Sequence, residues 1–264
     1  MKLTSGMVGA EMKEPIGWLI WDNQPKLNAL SPSMYPDALT VIETFEADPA
    51  VKVVVMRGAG KRAFISGADI SSFAKTRASA EAAENARATS DKLRHVMLHM
   101  EKPLIAMIRG YCLGGGLGMA LNADIRFASS DSQFSIPAAH RGVAYALDGL
   151  KQLVDVVGPS VAKDIMFSAR RLHADEALRV GLVNRVVAPE ELEAVTVEYA
   201  ETLAANAPLS IRASKFFINQ LGLEATQRNE ARMSTMQREA AESEDFKEAT
   251  RSFMEKRRPV FQGR

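Results

Sequence analysis

The apolar positions of this chain change period several times, and each change marks an element. Gly17-Trp18-Leu19-Ile20-Trp21 and Val51-Lys52-Val53-Val54-Val55-Met56 read as strands. The second is nearly continuous, the pattern of a strand covered on both faces. Between them Ser33 stands where a helix is capped, with Pro36 in the first turn, where its missing N–H costs little. Ala38, Val41, Ile42 and Phe45 then form an apolar stripe at helical spacing. A second helix carries Leu93, Val96, Met97 and Met100 on one face and ends before Pro103. His95 and His99 fall on the opposite face, the place of solvated side chains rather than of a metal pair.

Met56-Arg57-Gly58 and Ile108-Arg109-Gly110 each close an apolar strand and lead into a glycine-containing loop. The first loop holds Ser66-Gly67-Ala68-Asp69, the second Cys112-Leu113-Gly114-Gly115-Gly116-Leu117-Gly118. Glycines let backbone N–H groups approach a ligand, and N–H groups stabilise a developing oxyanion without moving a proton. No carboxylate stands in or just after the second loop. Downstream, Ile125 to Ala128 reads as a strand, Val161 to Phe167 as a helix, and Ala174 to Val180 as a helix closed by Gly181 before a strand Leu182 to Val187. From Pro189 the chain is almost wholly helical. Leu192, Val195, Tyr199 and Leu203 form one stripe; Phe246, Thr250, Phe253 and Met254 form another, which must pack on the core or on another subunit. The expected division is a core over 1–207 and a helical region over 208–264.

Composition narrows the function classes. The 264 residues suit one large α/β domain or a core with an appendage, and 47% hydrophobic content fills a sizeable core. Lys+Arg of 33 against Asp+Glu of 32 gives no general attraction to a phosphate backbone, so no nucleic-acid partner is expected. The single cysteine excludes a disulfide framework or a multi-cysteine zinc site. No signal pattern and no membrane-spanning apolar run is read, which gives a soluble cytoplasmic protein as the expectation. The glycines lack the spacing of a dinucleotide fingerprint, so no redox cofactor and no metal is expected.

Leu27-Asn28-Ala29-Leu30, Phe64-Ile65-Ser66-Gly67-Ala68-Asp69-Ile70, Gly110 to Gly116, Ala123-Asp124-Ile125, Ala177 to Val183 and Glu255-Lys256-Arg257-Arg258-Pro259 stand in the order and spacing of the crotonase (enoyl-CoA hydratase/isomerase) superfamily. The resemblance covers nearly the whole chain. It implies an α/β spiral of ββα units, a C-terminal helical trimerisation region (a homotrimer or a dimer of trimers), and an acyl-coenzyme A substrate with no other cofactor. It implies oxyanion donors at the N–H groups of Ala68 and Gly115, and contacts to substrate or coenzyme A around Lys26, Asn28, Ala29, Asp69, Ile70, Gly114, Phe253 and Lys256.

The departures from the family pattern matter as much. The two glutamates that hydratases of the family use as acid and base fall at Gly118 and Ala138, and neither can titrate. Each such group is typically worth ~10²–10⁴-fold in rate. The stretch Gly142 to Leu150 and the tail Ser243 to Pro259 look most like methylmalonyl-CoA decarboxylase-type members, in which a tyrosine at the position of Tyr145 lies beside the substrate carboxylate. Those members have a histidine where this chain has Ala68. Loss of CO₂ generates a thioester enolate without a base, leaving the oxyanion donors to stabilise it.

For several residues two readings stand side by side. Tyr145 is a core aromatic or a substrate-orienting group. Asp148, three residues on, is a replacement acid or a helix-start carboxylate beside the dipole. His140 and Arg141 are solvated loop residues or binders of a substrate carboxylate. Asp124 and Asp69 are expected to hold backbone donors, and Cys112 to be a buried small hydrophobe.

Overall fold

A computed structural model describes residues 2–69, 71 and 80–264. Two sheets organise them. The larger has the order β1 (Val8–Lys13), β2 (Ile16–Trp21), β3 (Val53–Gly58), β5 (Leu104–Ile108), β7 (Ile125–Ser129) and β10 (Arg185–Val187). Its first pair is antiparallel and the rest are parallel. The smaller joins β4 (Ala63–Ile65), β6 (Tyr111–Leu113), β8 (Gln133–Ser135) and the antiparallel two-residue β9 (Leu172–His173). Three strands of the small sheet, β4, β6 and β8, each follow a strand of the large one after a short turn, so the chain steps repeatedly from one sheet to the other.

Strand alternation divides the core in two. Leu19, Trp21, Val54, Met56, Ala106 and Ile108 face α1 (Met34–Ala47), α2 (Ala80–His99) and the small sheet. Trp18, Ile20, Val53, Val55, Ile105 and Met107 face α6 (Leu192–Ala204). Both faces of β3 are therefore covered, as its unbroken apolar run requires. Leu93 and Met97 of α2 are buried, while His95 and His99 stack on each other at the surface with ring centroids 4.1 Å apart. Between these elements lie α3 (Gly115–Ala120), α4 (Leu147–Ser168) and α5 (Ala174–Arg179). The chain closes with α7 (Pro208–Leu221), α8 (Glu230–Glu242) and α9 (Glu244–Met254).

Several boundaries differ from the sequence reading. β1 is an edge strand whose weakly alternating residues give no apolar signal of their own. Ser33 precedes α1 but lies in helical conformation and caps nothing; the turn is closed instead by Met34 N–H donating to Ser31 O. The run from Val51 pairs only from Val53, because Lys52 N–H and Val53 N–H first donate to Pro15 O. The helix around Val161 to Phe167 is the second half of the longer α4, broken at Gly158-Pro159. The strand expected over Leu182 to Val187 shrinks to β10. After Gly181, with φ +76°, the N–H groups of Leu182 and Val183 turn back onto Ala177 O and cap α5. The Leu192 stripe packs as expected, but Phe246, Phe253 and Met254 of α9 lie on the surface of the chain. Among the described residues no helix is long and apolar enough to cross a membrane.

Candidate active site

Two loops at the ends of β4 and β6 meet. Leu30 and Ala68 form a parallel bridge in which Leu30 N–H donates to Gly67 O and Asp69 N–H donates to Leu30 O. The N–H of Ala68 takes no part in that bridge. Opposite it, Gly114 adopts φ +53° and ψ −118°, and its N–H donates to Ser135 O at 2.7 Å. That fold of the chain makes Gly115 the first residue of α3, whose N–H has no partner within the helix. The point where a Cβ would sit on Gly115 is 3.9 Å from Ala68 N, and the equivalent point on Gly114 is 4.0 Å from Gly67 Cα. Two main-chain donors are thus brought side by side from residues far apart in sequence.

The glycines do different jobs. A Cβ on Gly116 would meet Ile65 O at 2.2 Å, so this glycine lets α3 pack on β4. A Cβ on Gly118 would meet nothing within 4 Å, so open space surrounds the position where the family resemblance placed a glutamate. Ala138, the other such position, is buried just before the 3₁₀ turn Ala139–Arg141.

Tyr145 lies between the core and the glycine loop. Its ring packs against the main core, while its hydroxyl lies 3.8 Å from the Cβ point of Gly114. Burial pushes its phenol above the usual range, and the charge of Arg141 offsets this in part. His140 and Arg141 are exposed in the 3₁₀ turn. Asp148 sits in the first turn of α4, its side chain 70% exposed, and accepts from Arg94 Nη2 at 2.8 Å. Arg94 comes from α2, 54 residues earlier, and no local pattern announces it.

Lys26 bridges to Asp69 Oδ2 at 2.7 Å and to Ser71 Oγ at 2.6 Å. The Lys26 hydrogen bond and those from Ser71 hold the Asp69 carboxyl below the usual range, and Asp69 also accepts the Ser71 N–H. Asn28 is buried with φ +58°, and its side chain is consumed by the loop. Its Oδ1 accepts from Asn23 N–H and its Nδ2 donates to Ala59 O and Ala63 O. Any ligand contact at Asn28 therefore falls to its main chain. Ala29 is buried beside it, its carbonyl accepting from Asn23 Nδ2. Ile70 lies outside the described residues. Phe253 and Lys256 are exposed at the end of α9, whereas neighbouring Arg257 is bound to Glu248 and Glu255. Asp124 accepts from Leu104 N–H at the entry to β5 and from Lys215. Cys112 is buried, and burial pushes its thiol far up. Among the described residues no group of three or more His, Cys, Asp or Glu side chains gathers to hold a metal.

Two adjoining main-chain N–H donors at loop ends, with no partner among the described residues, are the geometry of a site suited to an oxyanion. The enoyl-CoA hydratase/isomerase family model matches residues 15–264. The short-chain-enoyl-CoA hydratase of Clostridium acetobutylicum is 38% identical over 240 residues, covering 89% of this chain and 90% of the relative. The methylmalonyl-CoA decarboxylase of Escherichia coli is 32% identical over 244 residues, covering 90% and 91%. A solved enoyl-CoA hydratase/carnithine racemase from Magnetospirillum magneticum superposes with a TM-score of 0.92 at 34% identity, covering 98% of this chain and 96% of that one. The chain belongs to the enoyl-CoA hydratase/isomerase family and has the crotonase fold.

Proposed function

We propose that this enzyme carries an acyl-CoA thioester through an enolate held by the N–H groups of Ala68 and Gly115, in a decarboxylase-like lyase reaction. One observation carries the reading: two unspent main-chain donors adjoin a tyrosine hydroxyl, while the positions assigned to the family's glutamates are Gly118, in open space, and Ala138. Such a site stabilises negative charge on the thioester oxygen but has no carboxylate pair to activate water. Decarboxylation needs no such pair. The C–C bond electrons pass into the thioester as CO₂ leaves, and the enolate then takes a proton at carbon from Tyr145 or from water. Arg141, near Tyr145, is the cation on hand for the departing carboxylate, with His140 beside it in the same turn.

Lys26 and Lys256 are the cations proposed to meet the phosphates of coenzyme A. No step calls for a metal or a further cofactor. The exposed Phe246, Phe253 and Met254 support assembly with further copies of the chain, as a trimer or a pair of trimers.

Resemblance to hydratases supports a second reading, in which Asp148 alone shuttles a proton during isomerisation or hydration. Its exposure and its ion pair with Arg94 are the surroundings of a solvated, charge-paired carboxylate, so the first reading is preferred. Mass spectrometry after separate incubations with methylmalonyl-CoA, malonyl-CoA and crotonyl-CoA distinguishes them. Loss of CO₂ from a dicarboxylic thioester, with crotonyl-CoA untouched, is expected. Addition of water to crotonyl-CoA would overturn the lyase reading.

A further inference from the structure

Two arginines that end adjacent parallel strands are used by nothing in the reaction above. Arg57 pairs in register with Met107, so Arg109, two residues beyond Met107, leaves β5 on the same face as Arg57 leaves β3. That face is the one covered by α6, whose beginning closes over the strand ends. A cavity of about 130 Å³ results, lined by Arg57, Lys61, Arg109, Pro189, Leu192 and Glu193 among others.

The charges there are unbalanced. Arg109 is half-buried, its Nε is shielded from water, and the side chain has no hydrogen bond or ion pair among the described residues. Lys61 is exposed and equally unpaired. Arg57 lies over the Trp18 ring at 5.8 Å and reaches Glu11 only at 3.7 Å. Glu193 is the one carboxylate in the lining, and it makes no ion pair with any of the three cations. Like charges side by side on neighbouring strands repel, and a guanidinium partly stripped of water without a counter-charge is costly. Both costs are relieved by one anion between the cations. Arginine favours an oxyanion that can accept two parallel N–H bonds.

We infer that this cavity is a binding site for a phosphate-class oxyanion, separate from the Ala68–Gly115 donors. The anion is free phosphate or the phosphate group of a larger ligand reaching in from the surface. The inference does not rest on the lyase reading.

Titration of inorganic phosphate into the full-length protein, followed by ³¹P NMR, tests it. Saturable binding is expected, weakened about tenfold or more by Arg109→Gln, the loss of one charge-assisted contact. Lys61→Gln, at an exposed position, is expected to weaken binding without affecting folding, and Arg109→Lys to restore part of what Arg109→Gln removes. Turnover without phosphate should be the same in all three variants. Displacement of phosphate by coenzyme A would identify the phosphate of a larger ligand as the occupant, and simultaneous binding would identify a free anion. No saturable binding by the unaltered protein, or binding indifferent to both Arg109→Gln and Lys61→Gln, overturns the inference.

Discussion

The hydroxyl of Tyr145 stands 3.8 Å from the point where a Cβ would sit on Gly114, the residue whose φ of +53° turns the chain into α3. The tyrosine thus meets the glycine loop at the residue that positions the Gly115 N–H. If the hydroxyl gives the proton to the enolate, Tyr145→Phe should lower kcat by ~10²-fold or more with KM changed only a few-fold. Steady-state kinetics on the substrate identified by mass spectrometry measures this. An unchanged kcat would reduce Tyr145 to a packing residue.

Gly114→Ala and Gly116→Ala should fail for different reasons. At Gly114 the backbone conformation is the obstacle, at a cost of about 1–3 kcal/mol, together with misplacement of a donor worth ~10²–10³ in rate. At Gly116 the new methyl would overlap the Ile65 carbonyl, and a folded protein is not expected. Thermal melting and kcat together separate a folded, slow Gly114→Ala from an unfolded Gly116→Ala.

The pH dependence of turnover follows from the same tyrosine. Burial raises its pKa above the ordinary 10.0, so the proton-bearing form persists through the alkaline range. No alkaline fall in kcat owing to this group is expected below about pH 10. A fall near neutrality that disappears in Tyr145→Phe would contradict the assignment.

Asp148→Ala should lower kcat by no more than about tenfold, and should cost under about 1 kcal/mol of stability. The stability estimate follows from an exposed ion pair, and the small rate effect from a carboxylate with no step in the lyase reaction. Near-total loss of turnover would favour the isomerase reading instead.

Asp37, buried at the start of α1, accepts from Thr4 N–H, Ser5 N–H and the Thr4 hydroxyl. Burial pushes its carboxyl up, but the hydrogen bonds from Ser5 and Thr4 outweigh it and hold the group below its ordinary value. A depressed folded-state pKa contributes stability above the unfolded value of 3.8, lost as pH falls through the folded value. Asp37→Ala should therefore destabilise by about 1–3 kcal/mol at neutral pH, with the difference from the unaltered protein shrinking in acid. Denaturant unfolding at neutral and acidic pH checks the sign.

Much of the fold was legible in the sequence because its signals are local. The apolar runs of β2, β3 and β5 and the stripes of α1, α2 and α6 appear within single segments. So does the recurrence of a strand, an arginine, a glycine and a loop. What misled was also local. Ser33 has the chemistry of a cap, but the preceding turn already satisfies the helix start. Leu182 and Val183 have the composition of a strand, but their N–H groups are taken by α5.

By itself the sequence determined the family, the two loops that meet, and the absence of a carboxylate at residues 118 and 138, since these depend on residue identity and order. Only the tertiary structure decided which glycine packs and which stands open, because that depends on what lies across a few ångströms of space. The same holds for Asn28, whose amide binds carbonyls more than thirty residues away, and for Arg94, which reaches Asp148 across 54 residues. It holds too for Arg57 and Arg109, a repeat on paper that strand register turns into one cluster of positive charge. Chain order records which groups are present, whereas burial, pairing and repulsion depend on how the folded chain sets them side by side.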